Sequence, residues 1–127
     1  MRKTVLYSIF AMAIMSLTVL TSCSDDSPSG VVKTYFSAMK SGDAKKAAMC
    51  TNVSEDRMER RIERFEKKFS RNDANMQLIK EGKVKILNEK IDDDRAFVEV
   101  FVEAKGGMGI QMELDLEKVD GQWKIDE

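Results

Sequence analysis

The spacing of apolar residues changes once along this chain, at Gly82, and that change limits the folds open to it. Before Gly82 apolar side chains recur every three or four residues; beyond it they recur every second residue as far as Ile125. The first spacing puts them on one stripe of an α-helix and the second on one face of a β-strand. The links between the strand-like segments are too short for a crossover, so neighbouring strands must run antiparallel. Helices first and strands second predict an α+β fold, with the helices packed on the apolar face of the sheet.

Val31, Val32, Tyr35, Phe36 and Met39 form the first helical stripe, beginning near Ser29, and Gly42 suits the left-handed position that ends a helix. Asp43 is placed to cap a short second helix through Ala44, Ala47, Ala48 and Met49. Ser54 is placed to cap a third, longer helix whose stripe is Met58, Ile62, Phe65 and Phe69. The polar stretch from Asn72 to Gln77 reads as a turn or a frayed end. Three helices are therefore expected ahead of the sheet.

In the second half Val84 and Ile86 alternate with lysines, whereas Leu87 and Ile91 fall on the opposite parity, which predicts a bulge near Ile86-Leu87. Asp92-Asp93-Asp94 makes a turn. Ala96, Val98, Val100 and Val102 then face one side, against Phe97, Glu99, Phe101 and Glu103 on the other. After Gly106, Gly107 and Gly109, the apolar Ile110, Met112, Leu114 and Leu116 alternate with Gln111, Glu113, Asp115 and Glu117. Asp120-Gly121 is a two-residue hairpin signal, and Trp123 with Ile125 completes a fourth strand.

Ahead of all this lie Arg2 and Lys3, an apolar run from Val5 to Leu20, the small residues Thr21 and Ser22, and then Cys23. The run is shorter than the ~20 residues that span a bilayer and contains Ser8, Ser16 and Thr18, so it reads as a secretory signal. Leu20-Thr21-Ser22-Cys23 resembles the lipobox of bacterial lipoproteins. That resemblance implies a signal peptide over 1–22, lipid attachment at Cys23, a tether over 23–29 and a folded domain over 30–127. Two or more acyl chains hold a protein on a membrane where one does so only marginally. The implied address is the cell envelope, anchored to the outer membrane. Asp25-Asp26 resembles the surface-export signal of some Gram-negative lipoproteins and reads equally as a solvated linker to a periplasmic domain.

Loss of 1–22 would leave 105 residues, with 19 basic against 22 acidic side chains. That balance argues against nucleic acid as a partner, because such binding rests on neutralising phosphates. Cys50 would be the remaining thiol, ruling out an internal disulfide, and it reads as a small buried residue near a helix end. The chain has no histidine, so neither a Cys-His pair nor an Asp-His pair can form. Asp92, Asp94 and Glu103 match three positions of a calcium loop, but Ala96 and Phe97 occupy its fifth and sixth positions. A strand between them would also carry Glu103 away. No metal, cofactor or catalytic residue is assigned. Glu99, Glu103, Glu113, Asp115 and Glu117 read as solvated strand acids, and Arg95 and Lys105 as exposed strand ends.

Two features point to binding. Arg57, Arg61, Arg64, Lys68 and Arg71 step by four, three, four and three, which puts them on one flank of the third helix. Such a ridge suits an anionic partner, for example phosphate-bearing head groups beside the tether, and also suits a merely solvated helix. Phe97 and Phe101 share a strand face with glutamates. They either line the inside of the sheet or form a face for a partner. Met108 and Met112 could border a pocket or fill gaps.

The segment Val31 to Ala47, with its Gly42-Asp43 step, and the ending Asp120-Gly121-Gln122-Trp123-Lys124-Ile125 resemble nuclear-transport-factor-2-like (cystatin-like) domains. Val84 to Val102 resembles their central strand pair, and the whole resembles small bacterial lipoproteins with a domain of unknown function. The resemblance implies a strongly curved four-stranded antiparallel sheet around a long helix, leaving a conical pocket or a dimer face. It does not imply an activity, since this fold carries enzymes, carriers and interaction modules. The leading expectation is a non-catalytic, membrane-anchored domain that binds a homodimer partner, an envelope protein or a small apolar ligand. The alternative is an enzyme using one buried carboxylate or a tyrosine, with Tyr35 the first candidate.

Overall fold

Ser27 sets where the fold begins. In the computed structural model, which describes residues 27–71 and 73–126, the Ser27 side chain accepts a hydrogen bond from the Gly30 N–H at 3.0 Å. Pro28 follows at the first helical position, where its missing N–H costs nothing. Helix α1 (Pro28–Ser41) therefore starts inside the stretch assigned to the tether. The expected signal segment 1–22, the lipid site Cys23 and the pair Asp25-Asp26 lie outside the described residues.

Gly42 ends α1 at φ 76°, its N–H directed at the carbonyls of Ala38 and Met39. A side chain at this left-handed position would be strained, which is why glycine serves there. Asp43 then caps α2 (Ala44–Met49) through a 3.1 Å bond from the Lys46 N–H. Ser54 does occupy the cap position of α3 (Glu55–Ser70), yet its side chain makes no capping bond.

The expected turn between Asn72 and Gln77 is instead a fourth helix, α4 (Ala74–Glu81). Asp73 caps it, accepting from the Met76 N–H at 2.8 Å, and Met76 and Ile79 are buried against the body. Lys80 Nζ reaches the Phe69 carbonyl at 3.2 Å and ties α4 to the end of α3.

Strands β1 (Lys83–Asp92), β2 (Arg95–Glu103), β3 (Gly109–Val119) and β4 (Gln122–Ile125) form an antiparallel meander in the order β1-β2-β3-β4. The register shifts between Ile86 and Asn88, where Leu87 is the extra residue of the predicted bulge. Asp120 and Gly121 both take positive φ, 50° and 79°, as the tight Asp-Gly hairpin turn requires. Thr51 adds a single parallel bridge to Ile125, so the link between α2 and α3 extends the sheet beyond β4.

Ala96, Val98, Val100 and Val102 face the helices and are fully enclosed. Leu116 and Ile125 join them, together with Val31, Val32, Phe36 and Met39 of α1. Burying each such side chain is worth about 1.5–3 kcal/mol. The N-terminus of α1 is pinned to β1 as well: the backbone N–H of Ser29 donates to the Glu89 carboxylate at 3.0 Å. A carboxylate there also meets the positive end of the helix dipole.

Candidate anion-binding site

Phe65 and Phe69 are the deeply buried residues of α3. The Phe65 ring stands edge-on to Tyr35 of α1, with centroids 5.9 Å apart, and lies 5.7 Å from Phe69. This docking fixes the rotation of α3 about its own axis. The helical period carries Arg61 and Lys68, at offsets of four and three, to the side of Phe65, and Arg64 stands on their flank three residues from Arg61 and four from Lys68.

These three cations line one cavity of about 340 Å³, with Phe65 contributing its apolar wall. Arg61 is half-buried, while Arg64 and Lys68 are exposed. The arrangement offers two planar guanidinium forks and one mobile ammonium around an apolar surface. Guanidinium groups match carboxylate and phosphate oxygens in pairs, whereas an ammonium acts as a point charge. The cavity is thus suited to an anionic head group that carries some apolar surface.

The expected ridge is shorter than its spacing suggested. Arg71 follows the end of α3 with extended backbone, φ −72° and ψ 136°, so it leaves the helical flank. Arg57 is exposed one turn before Arg61 and is not among the cavity's described lining residues.

Phe97 and Phe101 lie on the sheet face away from the helices, because the valines of β2 occupy the covered face. Of the two alternatives for these rings, lining the inside of the sheet is therefore not the one found. Phe97 is 44 % exposed. Cross-strand neighbours of Phe97 are Lys90 and Asp115; those of Phe101 are Lys85 and Gln111. Met108 is exposed in the turn, and Met112 packs against the core. Cys50 is buried at the C-terminal cap of α2.

Tyr35 is buried, its ring edge-on to both Phe36 and Phe65. Glu103 is half-buried on the outer face, where Lys85 Nζ donates to it at 2.6 Å. That bond, the charge of Lys85 and then that of Lys83 hold the Glu103 carboxyl below its ordinary value. Glu103 stands at the far end of β2 from the aspartate turn, about 26 Å away along an extended strand, so those acids do not converge. Arg95 is exposed, 3.8 Å from Asp126. Among the described residues no three cysteine or carboxylate groups are placed to hold a metal. No helix among them is long and apolar enough to cross a membrane. A groove between α1 and β1, bordered by Ser37, Lys40 and Val84 among others, forms only through tertiary packing.

A family model described as a domain of unknown function, DUF4878, matches residues 21–126. No curated protein matches the chain. Among solved structures, a candidate NTF2-like transpeptidase from Campylobacter jejuni superposes with a TM-score of 0.59 at 18% identity, covering 76% of this chain and 94% of that one. An NTF-2 like protein of unknown function from Silicibacter pomeroyi reaches a TM-score of 0.50 at 18% identity, covering 91% of this chain and 92% of that one. A SEC-C motif containing protein from Rhodopseudomonas palustris gives 0.53 at 17% identity, with 86% and 82% covered. At these identities the likeness establishes the NTF2-like fold.

Proposed function

Because the chain belongs to the DUF4878 family, a domain of unknown function, we propose a role from its own site: a lipid-anchored envelope protein whose domain binds without catalysing. The bound group is an anionic one, held in the α3 cavity. What carries this reading is the convergence of Arg61, Arg64 and Lys68 around Phe65 in a single cavity. A domain tethered at Cys23 would work beside lipid head groups, where phosphate is concentrated and a cationic cavity gains affinity from proximity. We assign Tyr35 to packing, since its ring is enclosed by Phe36 and Phe65.

Two measurements test it. Cys23→Ala should move the protein from membrane to soluble fractions; retention in the membrane would overturn the anchor. In the Cys23→Ala background, Arg61→Glu with Arg64→Glu should weaken binding to anionic liposomes at low salt, and unchanged binding would overturn the cavity's role.

The outer sheet face supports a second reading, a homodimer. Lys85 and Lys90 lie on β1, Phe97 and Phe101 on β2, and Glu113 and Asp115 on β3, so charge is segregated on either side of an aromatic row. A two-fold axis parallel to β2 would lay the lysines of one copy over the carboxylates of the other. Phe97→Asp should then shift a dimer to monomer in analytical ultracentrifugation, and a protein monomeric at all concentrations would remove this reading.

A further inference from the structure

Arg64 has a cation at each of its helical neighbour positions. Arg60 and Arg61 stand four and three residues before it, and Lys67 and Lys68 three and four after it, all within α3. Like charges at these spacings lie close together on the helix surface and destabilise it. Glu63 is three residues from Arg60 and four from Lys67, which gives those two an opposite charge at helical spacing. Arg64 has no acid at either spacing. The ion pairs of the described residues involve neither Arg64 nor Lys68, and no carboxylate is among the described residues lining the cavity. Building on the α3 reading above, we propose that this cavity selects a phosphomonoester over a phosphodiester.

Charge and oxygen count both separate the two groups. A monoester carries close to two negative charges near neutral pH and presents three free oxygens. A diester carries one charge and presents two free oxygens. Arg64 and Lys68 bring two positive charges that no described carboxylate balances, which matches the monoester and exceeds the diester. The helix also supplies enough donors for three oxygens. Arg61 and Lys68 are seven residues apart, about 10 Å along the axis, with Arg64 between them. A phosphate over Arg64 is met by that residue's fork, by a second fork from the turn before and by an ammonium from the turn after. Phe65 gives the esterified carbon an apolar wall, and about 340 Å³ is room for a phosphate with part of its substituent. The like-charge cluster around Arg64 weakens the helix and gains no described partner within the chain; a bound dianion accounts for it.

The test uses the full chain carrying Cys23→Ala and two lipids dissolved as monomers, in calorimetry or NMR titration. One is dihexanoyl phosphatidic acid, a monoester; the other is dihexanoyl phosphatidylmethanol, which differs by a methyl group on the phosphate and is a diester. Phosphatidic acid should bind about tenfold or more tighter than its methyl ester. Equal affinities, or a tighter methyl ester, would overturn this inference and leave the α3 site standing, whereas no binding of either lipid would remove both. Arg64→Gln should weaken phosphatidic acid by about tenfold or more and bring it close to the methyl ester. The same variant should raise the thermal midpoint at low salt, because it removes like-charge pairs from α3. Lost binding together with a lowered midpoint would assign Arg64 to the fold and overturn the proposal. Hexyl phosphate separates the sources of the monoester. Affinity equal to that of phosphatidic acid would place the group on a soluble molecule, and weaker affinity would place it on a lipid; either supports the site.

Discussion

The ring of Phe65 meets that of Tyr35 edge-on, with centroids 5.9 Å apart. This contact joins α3 to α1, and through α1 to the sheet. It also decides which side of α3 faces outward, and hence which cations share a cavity.

Phe65→Ala should cost about 3–5 kcal/mol, because it removes a buried ring and leaves a void between two helices. A urea unfolding curve would show the midpoint falling with little change in slope. A loss below about 1 kcal/mol would mean that α3 is not docked through this residue.

The caps of α3 and α4 should respond differently to the same change. Asp73→Ala removes a side-chain bond to the Met76 N–H and should cost about 0.5–2 kcal/mol. Ser54 makes no such bond, so Ser54→Ala should be nearly silent in thermal unfolding. Equal effects would contradict the assigned caps.

Glu103 gives a pH signature. Its folded-state value lies below the ordinary 4.5, chiefly through the hydrogen bond from Lys85, so its contribution is present above 4.5 and fades as pH falls through the lower folded value. Glu103→Gln should therefore be less stable than the parent at neutral pH and converge with it in acid. A stability difference that persists undiminished below that window would show that the effect is not this titration.

Much of the fold was legible because the spacing of apolar residues is unambiguous over long stretches. The parity of β2 and β3, the bulge at Leu87, the caps at Gly42 and Asp43, and the Asp120-Gly121 turn all follow from local chemistry. Helix α4 was not legible, since eight residues with a polar start form a marginal helix alone. Burial of Met76 and Ile79 stabilises it, and Asp73 was the local signal available. Arg71 looked continuous with the ridge because no glycine or proline marks the end of α3 at Ser70. Phe97 and Phe101 shared a face in the sequence, but parity alone does not say which face the helices cover. The groove between α1 and β1 joins residues some fifty positions apart, which no local pattern records.

The most direct test of the α3 cavity follows the ring signals of Phe65 by NMR while the Cys23→Ala protein is titrated with a short-chain anionic phospholipid. The account predicts saturable shifts at Phe65 that vanish when Arg61 and Arg64 are both changed to glutamate. Ring signals that stay still in the parent, or move equally in the charge-reversed variant, would contradict it.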